Sequence, residues 1–392
     1  MYKNAVHFVN NIREEIKKMK KIIALFSAFA VCVSLAGCGT GTNEAALDVS
    51  GMDTEYYSQL SDKGVELNVA NWGEYISDGS EGSVDVIAEF EKLTGIKVNY
   101  TTYATNEELY AKMRAGAADY DIIIPSDYMI SKLHNEGMLQ DIDFGKIPNY
   151  ENIDDKYKNL EFDPENKYSV PYFWGTVGLI YDKNQITDDN FGWEILWDEK
   201  YADNLLMFDN PRDAFAIAQN ILGQSLNSSD EAELRAAADK LREQKPLVQA
   251  YVMDEVFDKM AASEAAVAPY YAGDAVTLMD ENEHLGFVIP KSGTNLFVDS
   301  ICIPKTSKNI DAASMFINFL LEPEIGLANT DAVGYSTPNK NTFELLDDDV
   351  KNNGISYLDD DFLNNHTEAF SVLPDEADKL MSELWTSIRS GE

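Results

Sequence analysis

Residues 168–183 read "YSVPYFWGTVGLIYDK", an extended apolar run punctuated by Pro171, Gly175 and Gly178. A second extended passage, "GFVIPKSGTNLFVDSICIP", follows at residues 286–304, with α/β material between them. Two such passages describe a chain that crosses twice between two lobes and leaves a cleft between them. About 330 residues make two bodies of ordinary size rather than one. Upstream, "VELNVANW" alternates Val65, Leu67 and Val69 as a strand. A helix fits residues 84–93, with Val84, Ile87, Phe90 and Leu93 on one face and Gly95 past its end. "IKVNY" (96–100) is the next strand, and Thr105-Asn106-Glu107-Glu108 is a capping box opening a helix that Gly116 stops. "YDIIIPSDY" (120–128) reads as a third, buried parallel strand. Strand alternating with helix gives an α/β, doubly wound layer. The crossings divide the chain into residues 64–175 with 298–340, and 176–297 with 341–392.

The N-terminal region directs the chain out of the cytoplasm. From Met19, Lys20 and Lys21 precede an apolar run, Ile22 to Ala36, which ends in Leu35-Ala36-Gly37-Cys38. That is the layout of a secretory signal over 19–37, too short to span a bilayer as a stable helix. Leu-Ala-Gly-Cys resembles the lipobox of bacterial lipoproteins, which implies that Cys38 carries lipid. Residues 1–18 fit no targeting pattern, so Met19 is the expected start. Residues 38–63 lack a sustained period and read as a tether. Beyond residue 37 the chain holds 25 basic and 66 acidic residues, a net charge of −41. Such a field repels nucleic acid and favours cations. Cys302 is then the one cysteine of the folded part, which leaves no disulfide and no paired ligands for zinc or redox chemistry. No cofactor and no metal are expected.

Ligands of open α/β sheets bind outside the carboxyl ends of strands. There stand Trp72, Glu74 and Tyr75 after the first strand, and Ser126 and Tyr128 after the third. Aromatic faces attract ammonium groups by about 0.5–2 kcal/mol each. In "FDNPRDAF" (208–215), Asn210 caps a helix, Pro211 opens it, and Asp213 lies in its first turn, placed for structure or for a ligand. "EAAVAPYYAGDAVTLM" (264–279) reads as a strand, a loop with Tyr270, Tyr271 and Gly273, and a helix from Asp274. Within "NLFVDSICIP" (295–304), Asp299 interrupts an apolar strand without a nearby Lys or Arg. A buried carboxylate costs several kcal/mol unless something positive or hydrogen-bonding meets it. Gly-x-Ser-x-Gly, P-loop and His-Glu-x-x-His motifs are absent, and although acids are plentiful enough for the carboxylate pair of a glycoside hydrolase, nothing singles such a pair out. A ferric-ion receptor using Tyr270 and Tyr271, a surface hydrolase, and a solute sensor stand as alternatives.

From about Val65 onward the chain resembles the bacterial extracellular solute-binding proteins for spermidine and putrescine, receptors of polyamine ABC transporters. The resemblance rests on "NWGEY" (71–75), "TGIKVNY" (94–100), "YDIIIPSDY" (120–128), "EGMLQDID" (136–143), "YSVPYFWGT" (168–176), "VDSICIP" (298–304), "INFLLEPEI" (317–325) and "GYSTPN" (334–339). It implies a two-lobed, type II periplasmic-binding-protein fold, a permease partner and capture of polyamine at the cell surface by a monomer. By matching motif, Trp72, Glu74, Tyr75, Ser126, Tyr128, Asp299 and Tyr335 are implied ligand contacts, with Asp299 as amine anchor. Tyr271 and Phe297 stand where relatives often have tryptophan. Asn210 stands where an acid is common, and Asp213 where a glutamate is common.

Overall fold

The computed structural model describes residues 47, 49 and 51–391. The expected start, the signal over 19–37 and the lipid-bearing Cys38 lie outside the described residues. Strand β1 (Glu66–Trp72) buries Leu67 and Val69, as its alternation requires. Helix α1 (Val86–Thr94) opens where Asp85 accepts a hydrogen bond from the Ala88 amide, and ends at Gly95 with φ 71°. That left-handed terminus is why glycine stands there. After β2 (Lys97–Tyr103), Thr105 caps α2 (Asn106–Arg114), and the Glu108 carboxylate accepts from the Ala104 amide. Strand β3 is only Ile122–Ile123, shorter than the expected 120–128. Pro125 has no N–H for a ladder, and Ser126 already stands at the N-terminal boundary of α3 (Asp127–Asn135). Tyr128 therefore sits in the first turn of a helix. The three strands are parallel in the order β2-β1-β3.

Strand β4 (Val170–Asp182) is buried along all 13 residues. It spans both halves of the molecule, and beyond it β5 (Leu205–Phe208), α4 (Pro211–Leu222), α5 (Glu231–Gln244), β6 (Val248–Val252) and β7 (Val267–Tyr271) build the second lobe. Helix α6 (Ala272–Glu281) follows β7 directly, so the expected loop before Asp274 does not exist. Tyr271 ends the strand and caps the helix at once. Strand β8 (Leu285–Val288) and β9 (Thr294–Ile301) both run antiparallel to β4, which breaks the passage 286–304 into two strands. Val170–Thr176 pairs with β9, and Val177–Tyr181 with β7. Gly178 is needed there, because a Cβ would stand 2.4 Å from the Phe287 ring. Isolated bridges from Ile123 to Cys302 and from Ser126 to Asp299 tie β9 to the first sheet. Strands β4 and β9 are thus the two crossings.

Helices α7 (Ile310–Leu320) and α8 (Pro323–Val333) return to the first lobe, where Phe316 and Phe319 pack on Phe90. Residues 341–366, expected in the second lobe, pack on the first. The Thr342 side chain sits where a Cβ on Gly326 would go, at 2.3 Å, and Tyr357 stands edge-on to Trp174 with ring centroids 5.9 Å apart. A third passage near His366 leads to β10 (Thr367–Glu368), which pairs with β9, and to α9 (Asp375–Ser390), which packs on α5. The expected tether also stops early. Met52, Tyr57 and Leu60 are buried in the first lobe's core, and the Tyr57 hydroxyl donates to Glu322 at 2.7 Å. Each lobe has its own core, around Val69, Phe90 and Phe316 in one and Leu179, Phe215 and Val267 in the other.

Candidate functional site

A cavity with ≈ 680 Å³ of space free of protein atoms, including its opening to solvent, lies between the lobes, and all ten residues picked from the sequence line it. Five carboxylates face it: Glu74, Asp213, Asp254, Asp274 and Asp299. Among the described residues no lysine, arginine or histidine does.

Asp299 projects from β9 and is 4% exposed. Its Oδ2 accepts a hydrogen bond from the Tyr75 hydroxyl at 2.6 Å, while Oδ1 has no partner. Burial pushes its pKa up to about 6, against the pull of the Ser126 and Tyr75 hydroxyls. The Tyr75 ring is held between Phe173 at 5.3 Å and Tyr335 at 4.7 Å, both edge-on. Trp72 is fixed by its indole N–H, which donates to the Ile124 carbonyl at 2.8 Å, and Glu74 follows in a left-handed backbone conformation, φ 46°. Asn106 organises the next wall. Its amide donates to both the Ser126 and Tyr128 hydroxyls at 3.1 Å, and Tyr128 donates onward to Glu107 at 2.9 Å.

From the second lobe, Asp213 enters in the first turn of α4. Its Oδ2 accepts from the Tyr271 hydroxyl and from the Asn210 amide, both at 2.8 Å. Asn210 thus does two things: it caps the helix through Oδ1 and steadies Asp213 through Nδ2. Burial raises Asp213 to about 7, with the Tyr271 hydrogen bond working against it. Phe297 stands edge-on to Tyr271 at 5.5 Å, and its ring occupies the space beside Gly175. Tyr335, from the first lobe, donates to Asp274 of the second at 2.8 Å.

Asp254 and Asp274 were not singled out from the sequence, although the signals exist. Asp254 follows the carboxyl end of β6, and Asp274 lies in the first turn of a helix, just as Asp213 does. With them a regularity emerges: four aspartates of the cavity each accept from a tyrosine, Tyr75 to Asp299, Tyr271 to Asp213, Tyr335 to Asp274 and Tyr270 to Asp254, the last at 3.4 Å. Each hydroxyl aims a carboxylate without neutralising it. The same contacts bear on the ferric-ion alternative. Burial first, and neighbouring carboxylates second, raise the Tyr270 and Tyr271 phenols well above their usual value, against the phenolate form that iron requires. Among the described residues no group of three or more His, Cys, Asp or Glu is arranged to hold a metal ion.

The comparisons with known proteins agree with this geometry. The chain matches the family described as bacterial extracellular solute-binding protein over residues 119–366, and one described as hypothetical lipoprotein (MG045 family) over residues 63–161. It is 36% identical over 293 residues to the spermidine/putrescine-binding periplasmic protein of Salmonella typhimurium, 74% of this chain and 82% of that protein. The putrescine-binding periplasmic protein of Pseudomonas aeruginosa is 30% identical over 354 residues, 86% of this chain and 94% of that one. Among solved structures, the spermidine/putrescine ABC transporter substrate-binding protein of Streptococcus pneumoniae is 37% identical with a TM-score of 0.70, covering 83% of this chain and 99% of that one. A lipoprotein of Treponema pallidum is 27% identical with a TM-score of 0.72, covering 82% and 99%. Nothing among these matches supports the ferric-ion alternative. The fold is the two-lobed, type II fold of periplasmic solute-binding proteins, and the chain belongs to the bacterial extracellular solute-binding protein family.

Proposed function

We propose that this chain captures a linear polyamine of the spermidine and putrescine class and delivers it to the permease of an ABC importer. The observation that carries the reading is Asp299, a buried carboxylate with one oxygen unpartnered, in a ring-walled cavity of five acids and no bases. An ammonium group entering there exchanges its hydration for ionic hydrogen bonds, and the aromatic faces cover its methylenes. Trp72, Glu74, Tyr75, Ser126, Tyr128 and Asp299 contribute from one lobe, Asp213 and Tyr271 from the other, with Phe297 and Tyr335 at the seam. Closure about β4 and β9 completes the box, and the ligand stabilises the closed form because only there does it touch both lobes at once. The work is binding and not catalysis. The protein acts as a monomer, tethered by lipid on Cys38 to the outer face of the membrane. The similarity of named polyamine-binding relatives supports the substrate class.

A thermal-shift panel tests this. Putrescine, spermidine, spermine, cadaverine, basic amino acids and sugars are compared at a hundredfold excess over the dissociation constant expected of the best ligand. A bound ligand then stabilises by about 2.7 kcal/mol, and a selective amine stands out. Stabilisation by a sugar or by nothing in the panel would end the proposal.

The raised carboxyls give the reading a pH signature. Asp299 at about 6 and Asp213 at about 7 both titrate above their unfolded values, so from about pH 4 to pH 7 the folded chain binds more protons than the unfolded one. These two groups therefore destabilise the ligand-free protein as pH rises through that window. Amine affinity runs the other way, since an ammonium needs them ionised. It is expected to fall at least about tenfold from pH 7.5 to 5.5, with proton release on binding near pH 6.5. Calorimetry in buffers of different ionisation heat reads both, and a pH-independent affinity without proton release would contradict the assignment.

A further inference from the structure

Although no base lines the amine cavity among the described residues, a buried cation stands just behind its wall. Arg212, in the first turn of α4, is 5% exposed. Its guanidinium lies over the Phe370 ring at 4.5 Å and reaches across the seam to the Tyr128 ring of the first lobe at 5.7 Å. Nη2 donates to Asn227 Oδ1 at 2.7 Å and to the Ser371 carbonyl at 3.0 Å, whereas Nε and Nη1 have no partner among the described residues. A guanidinium cannot shed its charge, so its burial calls for a counter-charge close by. Burial lowers its pKa, and Tyr128, Asp127, Asp213 and Asp378 work against that in turn. Two of these three aspartates are already engaged. Asp213 accepts from Tyr271 and Asn210 and faces the amine cavity. Asp378 holds Lys132 at 2.7 Å, itself an ion pair between the lobes. Asp127 remains. It is 2% exposed at the start of α3; its Oδ1 accepts from the Tyr128 amide at 2.7 Å, and its Oδ2 has no partner among the described residues.

We propose that Arg212 and Asp127 form a charge latch across the seam, which draws the lobes together from behind the cavity wall and touches no ligand itself. The two charges are opposite, buried and carried by different lobes, so separating the lobes works against an attraction that water screens little. Burial pushes the Asp127 carboxyl well above its usual value, and Arg212 is among the groups that draw it back. Tyr128 joins the latch to the cavity: its amide holds Asp127, its ring carries Arg212, and its side chain lines the space for the amine. Both groups are positioning residues. Because the latch acts on closure and not on the amine, it scales the affinity of every amine by the fraction of chains that are closed. That consequence rests on the polyamine reading above; the closure does not.

A double-mutant cycle of Arg212→Gln and Asp127→Asn in the full chain tests the latch, read by calorimetry with putrescine and with spermidine and by small-angle scattering without ligand. Melting curves report that each variant is folded, and Asp127→Asn, which keeps the shape and the Tyr128 contact, decides the case alone if Arg212→Gln does not fold. Each single substitution is expected to weaken both amines alike, by about tenfold, with the double variant losing no more than either single. Without ligand, each variant should be more extended than the wild type. Losses that multiply in the double variant, a loss confined to one amine, or an unchanged affinity would overturn the latch. So would a gain in affinity, the result expected of a cation that merely repels the amine. A wild-type chain that binds neither amine would end the polyamine reading and leave the latch to the scattering, where equal dimensions for wild type and variants would overturn it.

Discussion

Asp299→Ala is expected to weaken polyamine binding more than a hundredfold while the protein still folds. The carboxylate is buried in β9 between Val298 and Ser300, and among the described residues its Oδ1 has no hydrogen-bond partner. With a bound amine in place it is the buried half of an ion pair. Removing one partner of such a pair leaves the other desolvated and uncompensated, at a cost of about 3–5 kcal/mol. That corresponds to two or more factors of ten in dissociation constant. The ligand-free protein loses little, because what alanine removes is a charge that burial already disfavours. Its melting temperature should hold or rise at neutral pH. Calorimetry of the variant decides the matter, and near-normal amine affinity would refute the anchor. Asp299→Asn, which keeps the Tyr75 contact as an acceptor, should show most of the same loss, separating charge from shape.

Gly273→Ala is expected to weaken binding ten- to a hundredfold by a different route, with no carboxylate touched. Gly273 lies in the first turn of α6, in the second lobe, against the ring of Tyr335 from the first. A Cβ there would stand 2.3 Å from Tyr335 Cδ2, a distance no side chain tolerates. Gly334, at φ 74°, comes equally close, since its own Cβ would meet the Gly273 carbonyl at 2.5 Å. The two glycines let the lobes meet backbone to ring, and the Tyr335–Asp274 hydrogen bond depends on that approach. Overpacking of this kind costs about 1–3 kcal/mol, and only when the lobes are closed. The open form gains slightly, because alanine is the better helix former. Small-angle scattering should then show a ligand-induced compaction in the wild type that the variant lacks. Full compaction with unchanged affinity would mean that the seam yields more easily than its geometry suggests.

The parts of the fold that could be read in advance were those specified by local chemistry. The caps at Thr105 and Asn210, the terminus at Gly95 and the alternation of Leu67 and Val69 need only neighbours in the chain, and each is found where it was expected, whereas the helix expected from residue 84 starts at Val86 because Asp85 caps it. Strand ends carrying aromatics and acids likewise pointed to one cavity, because chain direction in a parallel sheet sends all those ends to one edge. What escaped depended on distant partners. Residues 341–366 are rich in Asp and Asn, and their place is set by contacts such as Thr342 on Gly326 and Tyr357 on Trp174. Tyr57 looked like part of a polar tether because its partners, Glu322 and Asn318, lie more than 250 residues away. Asp254 and Asp274 passed as ordinary members of a very acidic chain. Only the tyrosines opposite them distinguish them from the acids that merely keep the surface soluble.

Val170–Asp182 forms ladders with strands of both lobes along a single uninterrupted stretch. Neither half can therefore be cut out and grafted onto another receptor as a module, since any junction would sever a strand that pairs with β9 along its first part and with β7 and β8 along its second. Diversification within such an architecture has to proceed by exchanging individual side chains around the cleft.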